Sequence, residues 1–68
     1  MNYKQIDRDK IMDYIFSRGG ECSVADIILE SGAEKLRVYN ILFDEFMAGR
    51  IANVKETYLG APEVVKLV

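Results

Sequence analysis

The sequence predicts an α+β, mainly helical fold in which three helices are followed by a β-hairpin. Apolar residues recur at three- and four-residue spacing in three segments before residue 50, as they do on the buried face of a helix. After residue 50, two short runs rich in valine and isoleucine are separated by Gly60, Ala61 and Pro62, which is typical of strands joined by a turn. We therefore expect one domain over residues 1–68.

The first helix is expected over residues 7–18. Asp7 is a suitable N-cap because its carboxylate accepts hydrogen bonds from the free backbone N–H groups of a first turn. Glycine adopts the left-handed backbone conformation easily, so the pair Gly19 and Gly20 is expected to end this helix. The i, i+4 spacing predicts a buried face that carries Ile11, Met12, Ile15 and Phe16.

The second helix is expected over residues 24–31 and the third over residues 34–48. Ser23 is the expected N-cap of the second helix, since a serine hydroxyl accepts from the first turn. Gly32 lies where the chain must turn sharply between the two helices, and Gly49 supplies the stop signal after the third. The apolar face of the second helix is expected to carry Val24, Ile27 and Ile28.

Residues 51–55 and 63–68 are expected to be the two strands of the hairpin. Pro62 fits the entrance of the second of these strands, where its missing N–H does not interrupt pairing. Glu21 and Cys22 are expected to form a very short additional strand. Cys22 is the single cysteine of the chain, and we expect it to be a small buried hydrophobic residue rather than a redox switch.

The composition excludes several classes of function. The 68 residues contain no histidine, which removes His-based catalysis and most zinc sites. The sequence contains neither a cofactor fingerprint nor a trusted metal-ligand spacing, so we expect no enzyme activity, no cofactor and no metal. One cysteine, no signal peptide and no membrane-spanning run together predict a cytoplasmic protein without membrane association. A net charge of −2 argues against strong nonspecific binding to nucleic acid.

Residues 23–42 have the order short helix, glycine turn, second helix. Val38 and Ile41 follow Gly32 by six and nine residues, where a helix-turn-helix needs apolar side chains to lock its second helix onto its first. Further residues that fit the pattern are Ala25, Tyr39, Gly49, Arg50 and Ile51. With the preceding helix and the following hairpin, or wing, residues 7–68 resemble the winged helix-turn-helix family.

This resemblance implies a bacterial or phage transcription regulator that binds double-stranded DNA. The third helix would enter the major groove and the wing would contact the flanking backbone. In that arrangement Arg37 pairs with guanine, Asn40 pairs with adenine, and Lys35 reaches a phosphate. The full set of expected DNA-binding residues is Lys35, Arg37, Tyr39, Asn40, Arg50, Lys55 and Thr57.

The rotation of the third helix is left open by the sequence, and with it the set of outward-facing residues. In one rotation Val38 and Ile41 face the core; in the other, Leu42 and Phe46 point inward. The first rotation leaves outside three large apolar side chains, Leu36, Phe43 and Met47. The second leaves outside Arg37, Asn40 and Asp44.

An alternative function follows from the apolar surplus of the third helix. Glu34, Asp44 and Glu45 add negative charge to this helix, and phosphate would be repelled by it. Large apolar side chains that a small core cannot bury usually mark a partner surface. The alternative is a protein interaction module without DNA binding, which forms a homodimer or binds a partner through Leu36, Phe43 and Met47.

Overall fold

The computed structural model describes residues 2–68, which form three helices and a three-stranded antiparallel sheet. The elements in chain order are α1 (Tyr3–Ser17), β1 (Glu21–Ser23), α2 (Val24–Glu30), α3 (Lys35–Met47), β2 (Ile51–Glu56) and β3 (Pro62–Leu67). The strand order is β1-β3-β2, so β3 is central and pairs with both neighbours. The predicted α+β class is confirmed, and the short strand expected at Glu21 and Cys22 is present as β1.

The first helix begins at Tyr3, four residues before the predicted start at Asp7. Its N-cap is Asn2, whose Oδ1 accepts a hydrogen bond from the backbone N–H of Gln5 at 3.1 Å. Asp7 lies inside the helix and is buried, so its carboxylate is not a cap. The prediction was wrong because asparagine and aspartate cap equally well, and the mostly exposed residues between them give no periodic apolar signal.

The hydrophobic core lies between the three helices and one face of the sheet. Its buried apolar residues are Ile11, Ile15, Cys22, Val24, Ile27, Ala33, Val38, Ile41, Leu42, Ile51 and Val65. Met12 and Ile28 pack against this cluster, whereas Phe16, which we expected on the buried face of α1, is 75% exposed. Burial raises the pKa of the Cys22 thiol, as expected for a buried apolar residue.

The turn between α2 and α3 determines how the third helix is presented. Gly32 has a φ of +83°, a left-handed conformation that favours glycine. The hydroxyl of Ser31 accepts from the backbone N–H of Ala33 at 3.2 Å and closes the turn. At the other end of α2, the Ser23 hydroxyl accepts from the N–H of Asp26 at 3.1 Å, which is the predicted cap.

Candidate functional site

Four side chains on the inner face of α3 fix the rotation of this helix. Val38, Ile41, Leu42 and Glu45 are each at most 1% exposed. The observed rotation is the one that turns Val38 and Ile41 inward. Leu42 is also inside, but Phe46 is not, so the alternative rotation is wrong. The inner face therefore consists of three aliphatic side chains and one carboxylate.

The opposite side of α3 carries Leu36, Asn40, Phe43 and Met47, which we call the outer ridge. These residues are spaced by four, three and four positions, so they follow one another along one side of the helix. Leu36 is 81% exposed, Phe43 62% and Met47 67%. Three of the four ridge side chains are therefore large, apolar and in contact with solvent.

A groove of about 450 Å³ lies beside the outer ridge, between α3 and the hairpin formed by β2 and β3. Tyr39, Phe43 and Phe46 give it an aromatic wall, so we call it the aromatic groove. On the hairpin side, Asn53, Glu56 and Pro62 line it. Tyr39 and Phe46 remain nearly half exposed in this position. The ridge and the groove thus form one continuous apolar face on α3.

Arg37, the expected guanine contact, is held by an acidic residue of α1. Its Nη1 donates to Asp7 Oδ2 at 2.8 Å, and its guanidinium lies 5.7 Å from the centroid of the Tyr3 ring. The hydrogen bond from Arg37 lowers the pKa of Asp7 below its ordinary value, although burial acts in the opposite direction. Arg37 therefore contributes to the packing of α1 on α3.

Arg50, expected to contact DNA at the start of the wing, is bound to the buried carboxylate of Glu45. Its Nε and Nη2 both donate to Glu45, the latter to Oε1 at 3.2 Å. Arg8 of α1 approaches the same carboxylate, with 3.7 Å between its Nη1 and Oε1. We expected Glu45 to add negative charge to the helix surface. That expectation was wrong, since the side chain is 1% exposed and two arginines neutralise it.

The remaining residues expected to bind DNA lie along the exposed side of α3 and on the hairpin. Lys35 is exposed in the first turn of α3, and Asn40 belongs to the outer ridge. Lys55 faces Glu63 across the hairpin, with 3.8 Å between Nζ and Oε2. Thr57 lies in the hairpin turn, where its Oγ1 accepts from the backbone N–H of Ala61 at 3.2 Å. On the exposed side of α3, large apolar side chains therefore outnumber the basic side chains that are not paired with a carboxylate.

Two contributors to this face were missed by sequence reasoning. Phe46 was placed either inside the core or left unassigned, and Pro62 was expected only as a loop residue at the entrance of a strand. The contact of Pro62 with the aromatic groove depends on how the hairpin folds against α3, which no local pattern encodes. A signal for Phe46 existed, because α3 carries more large apolar residues than one buried stripe accommodates.

Within residues 2–68, no three His, Cys, Asp or Glu side chains come together in a way that would hold a metal ion. The same residues include no helix with the length and apolar character needed to cross a membrane. No known protein family matches the chain, and neither a curated protein nor a solved structure is similar to it at a significant level.

Proposed function

We propose that this chain is a winged-helix scaffold whose third helix binds protein, and that its partner presents an apolar stripe on a helix. One observation carries the proposal. Five large apolar side chains are exposed on a single face of α3, namely Leu36, Tyr39, Phe43, Phe46 and Met47. Contiguous exposed apolar surface of this kind is typical of protein interaction sites, because water solvates it poorly.

The order of the elements supports the winged-helix part of this proposal. α2, the Gly32 turn and α3 correspond to the helix-turn-helix, and the hairpin of β2 and β3 corresponds to the wing. β1 adds a third strand beside β3, at the position where winged domains commonly have one. The scaffold presents α3 at the surface, with the hairpin along one side of it.

The spacing of the outer ridge favours a helix as the partner. Apolar side chains at intervals of three and four residues form the seam along which two helices interdigitate. α3 has 13 residues and is therefore about 20 Å long. This length accommodates two layers of interdigitating side chains on each side of the helix centre. The aromatic groove lies next to this seam and can receive side chains that flank the partner's own stripe.

The charges near α3 favour a protein partner over DNA. Proteins bind DNA largely by placing lysine and arginine against phosphates. Here Arg37, Arg50 and Lys55 each face a carboxylate of the same chain. Glu56 adds an exposed negative charge beside the aromatic groove. DNA binding would compete with these ion pairs and would also bring phosphates against the apolar surface of the outer ridge.

Duplex DNA is the second candidate partner, and the topology favours it. Helix-turn-helix proteins read bases with the early residues of the second helix of the motif. Lys35 and Asn40 are exposed in that part of α3 and have the donors needed to contact a phosphate and an adenine.

Backbone amide NMR titrations with two probes separate the candidates. The first probe is an uncharged helical peptide with leucine at the a and d positions of two heptads; the second is random-sequence duplex DNA at low salt. We expect the peptide to shift resonances of residues 36–47 and of the hairpin around Asn53 and Pro62, and the duplex to shift none. DNA-induced shifts at residues 35–40 that fade as salt rises, without peptide-induced shifts, would establish the second candidate instead.

A matched pair of variants assigns the peptide binding to the α3 face. Phe43→Asp places a charge in the centre of the outer ridge and is expected to abolish the peptide-induced shifts. Phe16→Asp makes the same change at an exposed phenylalanine of α1 and is expected to leave them unchanged. Equal loss in both variants would mean that the peptide binds apolar surface without preference.

A further inference from the structure

The arrangement of residues on the outer ridge identifies one helix that fits it, and that helix is α3 itself. We propose that the partner is a second copy of this chain, packed through antiparallel α3 helices about a two-fold axis. This inference rests on the proposed function, since it names the occupant of the same face. The axis passes beside the midpoint of the ridge, between positions 41 and 42.

The outer ridge is symmetric about that midpoint. In an antiparallel pair centred there, Leu36 of one copy lies opposite Met47 of the other, and Asn40 lies opposite Phe43. Every apolar ridge side chain then meets a ridge side chain of the second copy. A two-fold interface requires this kind of self-complementarity, because the same surface serves on both sides.

The flanks of the ridge select the antiparallel orientation by charge. Arg37 and Asp44 lie on the side of the ridge that faces α1, where they line a shallow depression with Lys4. Tyr39 and Phe46 lie on the other side, in the aromatic groove. A two-fold axis perpendicular to antiparallel helices brings each flank against the same flank of the second copy. Arg37, which also pairs with Asp7 of its own chain, then comes within one turn of the second copy's Asp44, which also pairs with its own Lys4. This contact occurs twice in the dimer.

A parallel pair lacks this complementarity. Its two-fold axis runs along the helices, so the charged flank of one copy meets the aromatic flank of the other. The macrodipoles of the two helices are then aligned side by side, whereas in an antiparallel pair they oppose one another favourably. Charge and dipole therefore favour the same orientation.

The exposed area agrees with a second copy as the occupant. A large aromatic side chain contributes roughly 150–250 Å² of surface, so the five exposed side chains together present on the order of 600 Å². If all of this surface is covered, two copies bury at most about 1,200 Å², which lies at the lower end of the range for specific interfaces. The expected dimer is one that dissociates on dilution.

Asn40 is the polar residue closest to the proposed axis. The two Asn40 side chains start about 4.5 Å apart along the helix direction, near enough for their amides to hydrogen-bond. A single polar pair within an apolar seam fixes the register of two helices. Asn40 thus has a role in the dimer that does not require contact with DNA.

Sedimentation equilibrium of the full chain from low micromolar to millimolar concentration tests the second copy as partner. We expect a monomer–dimer equilibrium, weakened about 100-fold or more by Phe43→Asp and unchanged by Phe16→Asp. A monomer at every concentration, in a protein that still binds the leucine heptad peptide at α3, overturns the second copy and leaves the proposed function intact. A monomer that binds no peptide overturns both.

Disulfide crosslinking tests the orientation in a Cys22→Ala background, after its fold has been checked by circular dichroism. In the antiparallel dimer, the two copies of Leu36→Cys are about 16 Å apart along the helix, and so are those of Met47→Cys, too far for a disulfide. Neither variant should crosslink alone, and a mixture of the two should crosslink readily. Crosslinking of each variant alone, without mixed crosslinks, would overturn the antiparallel arrangement and indicate a parallel one.

Discussion

The inner face of α3 buries a carboxylate, whereas its outer face exposes aromatic rings. Glu45 is 1% exposed among the aliphatic side chains that meet α1 and the sheet. Phe43, only two positions earlier, is 62% exposed on the outer ridge. Charged residues are usually exposed and large apolar residues usually buried. One face of α3 buries a charged residue and the other exposes apolar ones, so both faces depart from this rule.

The two departures have different physical explanations. Removing a carboxylate from water is unfavourable, but Arg50 donates hydrogen bonds to Glu45, and Arg50 and Arg8 both place a positive charge beside it. These contacts also tie α3 to α1 and to the residue before β2. No side chain within residues 2–68 covers Phe43 to the same extent. This contrast is the reason why we propose that a partner covers it. The buried carboxylate of Glu45 is therefore accounted for by its arginine partners, whereas the exposed ring of Phe43 is not accounted for by any contact within residues 2–68.

The largest expected effect comes from truncating the same residue type on each face. Leu42→Ala should lower the free energy of unfolding by about 3 kcal/mol, because it leaves a cavity in the core. Leu36→Ala should change it by less than about 0.5 kcal/mol, since that side chain is 81% exposed. Urea unfolding at a concentration where the protein is monomeric measures both. A large loss of unfolding free energy in Leu36→Ala would mean that the outer ridge belongs to the core, and the contrast between the two faces would not hold.

Removing one buried and one exposed negative charge from α3 should have smaller effects, and again the buried position should show the larger one. Glu45→Gln keeps the shape of the side chain but loses charge-assisted hydrogen bonds to Arg50, so we expect unfolding to become easier by about 1–2 kcal/mol. Asp44→Asn removes an exposed pair with Lys4, and we expect less than about 0.5 kcal/mol. Similar losses in the two variants would mean that the buried pair contributes no more than the exposed one.

The fold was predictable because its signals are local. The apolar spacing and the glycines place three helices before a pair of strands, and the structure contains those elements in that order. Gly32 and the cap at Ser23 needed only neighbouring residues to be interpreted. The first helix start was missed for the same reason, since two equally good local caps, Asn2 and Asp7, were present.

The chemistry of the candidate site was only partly predictable because it depends on distant residues. The apolar surplus of α3 could be counted from the sequence, and it raised the alternative of a partner surface. The pairing of Arg37 with Asp7 joins positions 30 residues apart, so no spacing rule indicates it. An isolated sequence shows an arginine on a helix; the fold decides whether a carboxylate already holds it.

The smallest expected effect concerns the pair of Asp7 and Arg37, which lies where the two faces of α3 meet, and it is lost in acid. Arg37 holds the pKa of Asp7 below its ordinary value of 3.8, so the folded state binds fewer protons here than the unfolded state near that pH. The contribution of the pair is therefore complete above pH 5 or so and is lost as the pH falls through the folded-state pKa. Asp7→Asn should remove this pH-dependent part.

Unfolding by urea across the acidic range measures this effect. We expect the curves of the parent protein and Asp7→Asn to differ near neutral pH and to converge as the pH falls. Asp13→Asn changes an exposed carboxylate of the same helix and should keep the parent's pH dependence. A constant difference between Asp7→Asn and the parent, down to the lowest pH, would show that Asp7 stabilises α1 by packing. In that case Arg37 would not depend on the Asp7 charge and would be freer to contact a partner.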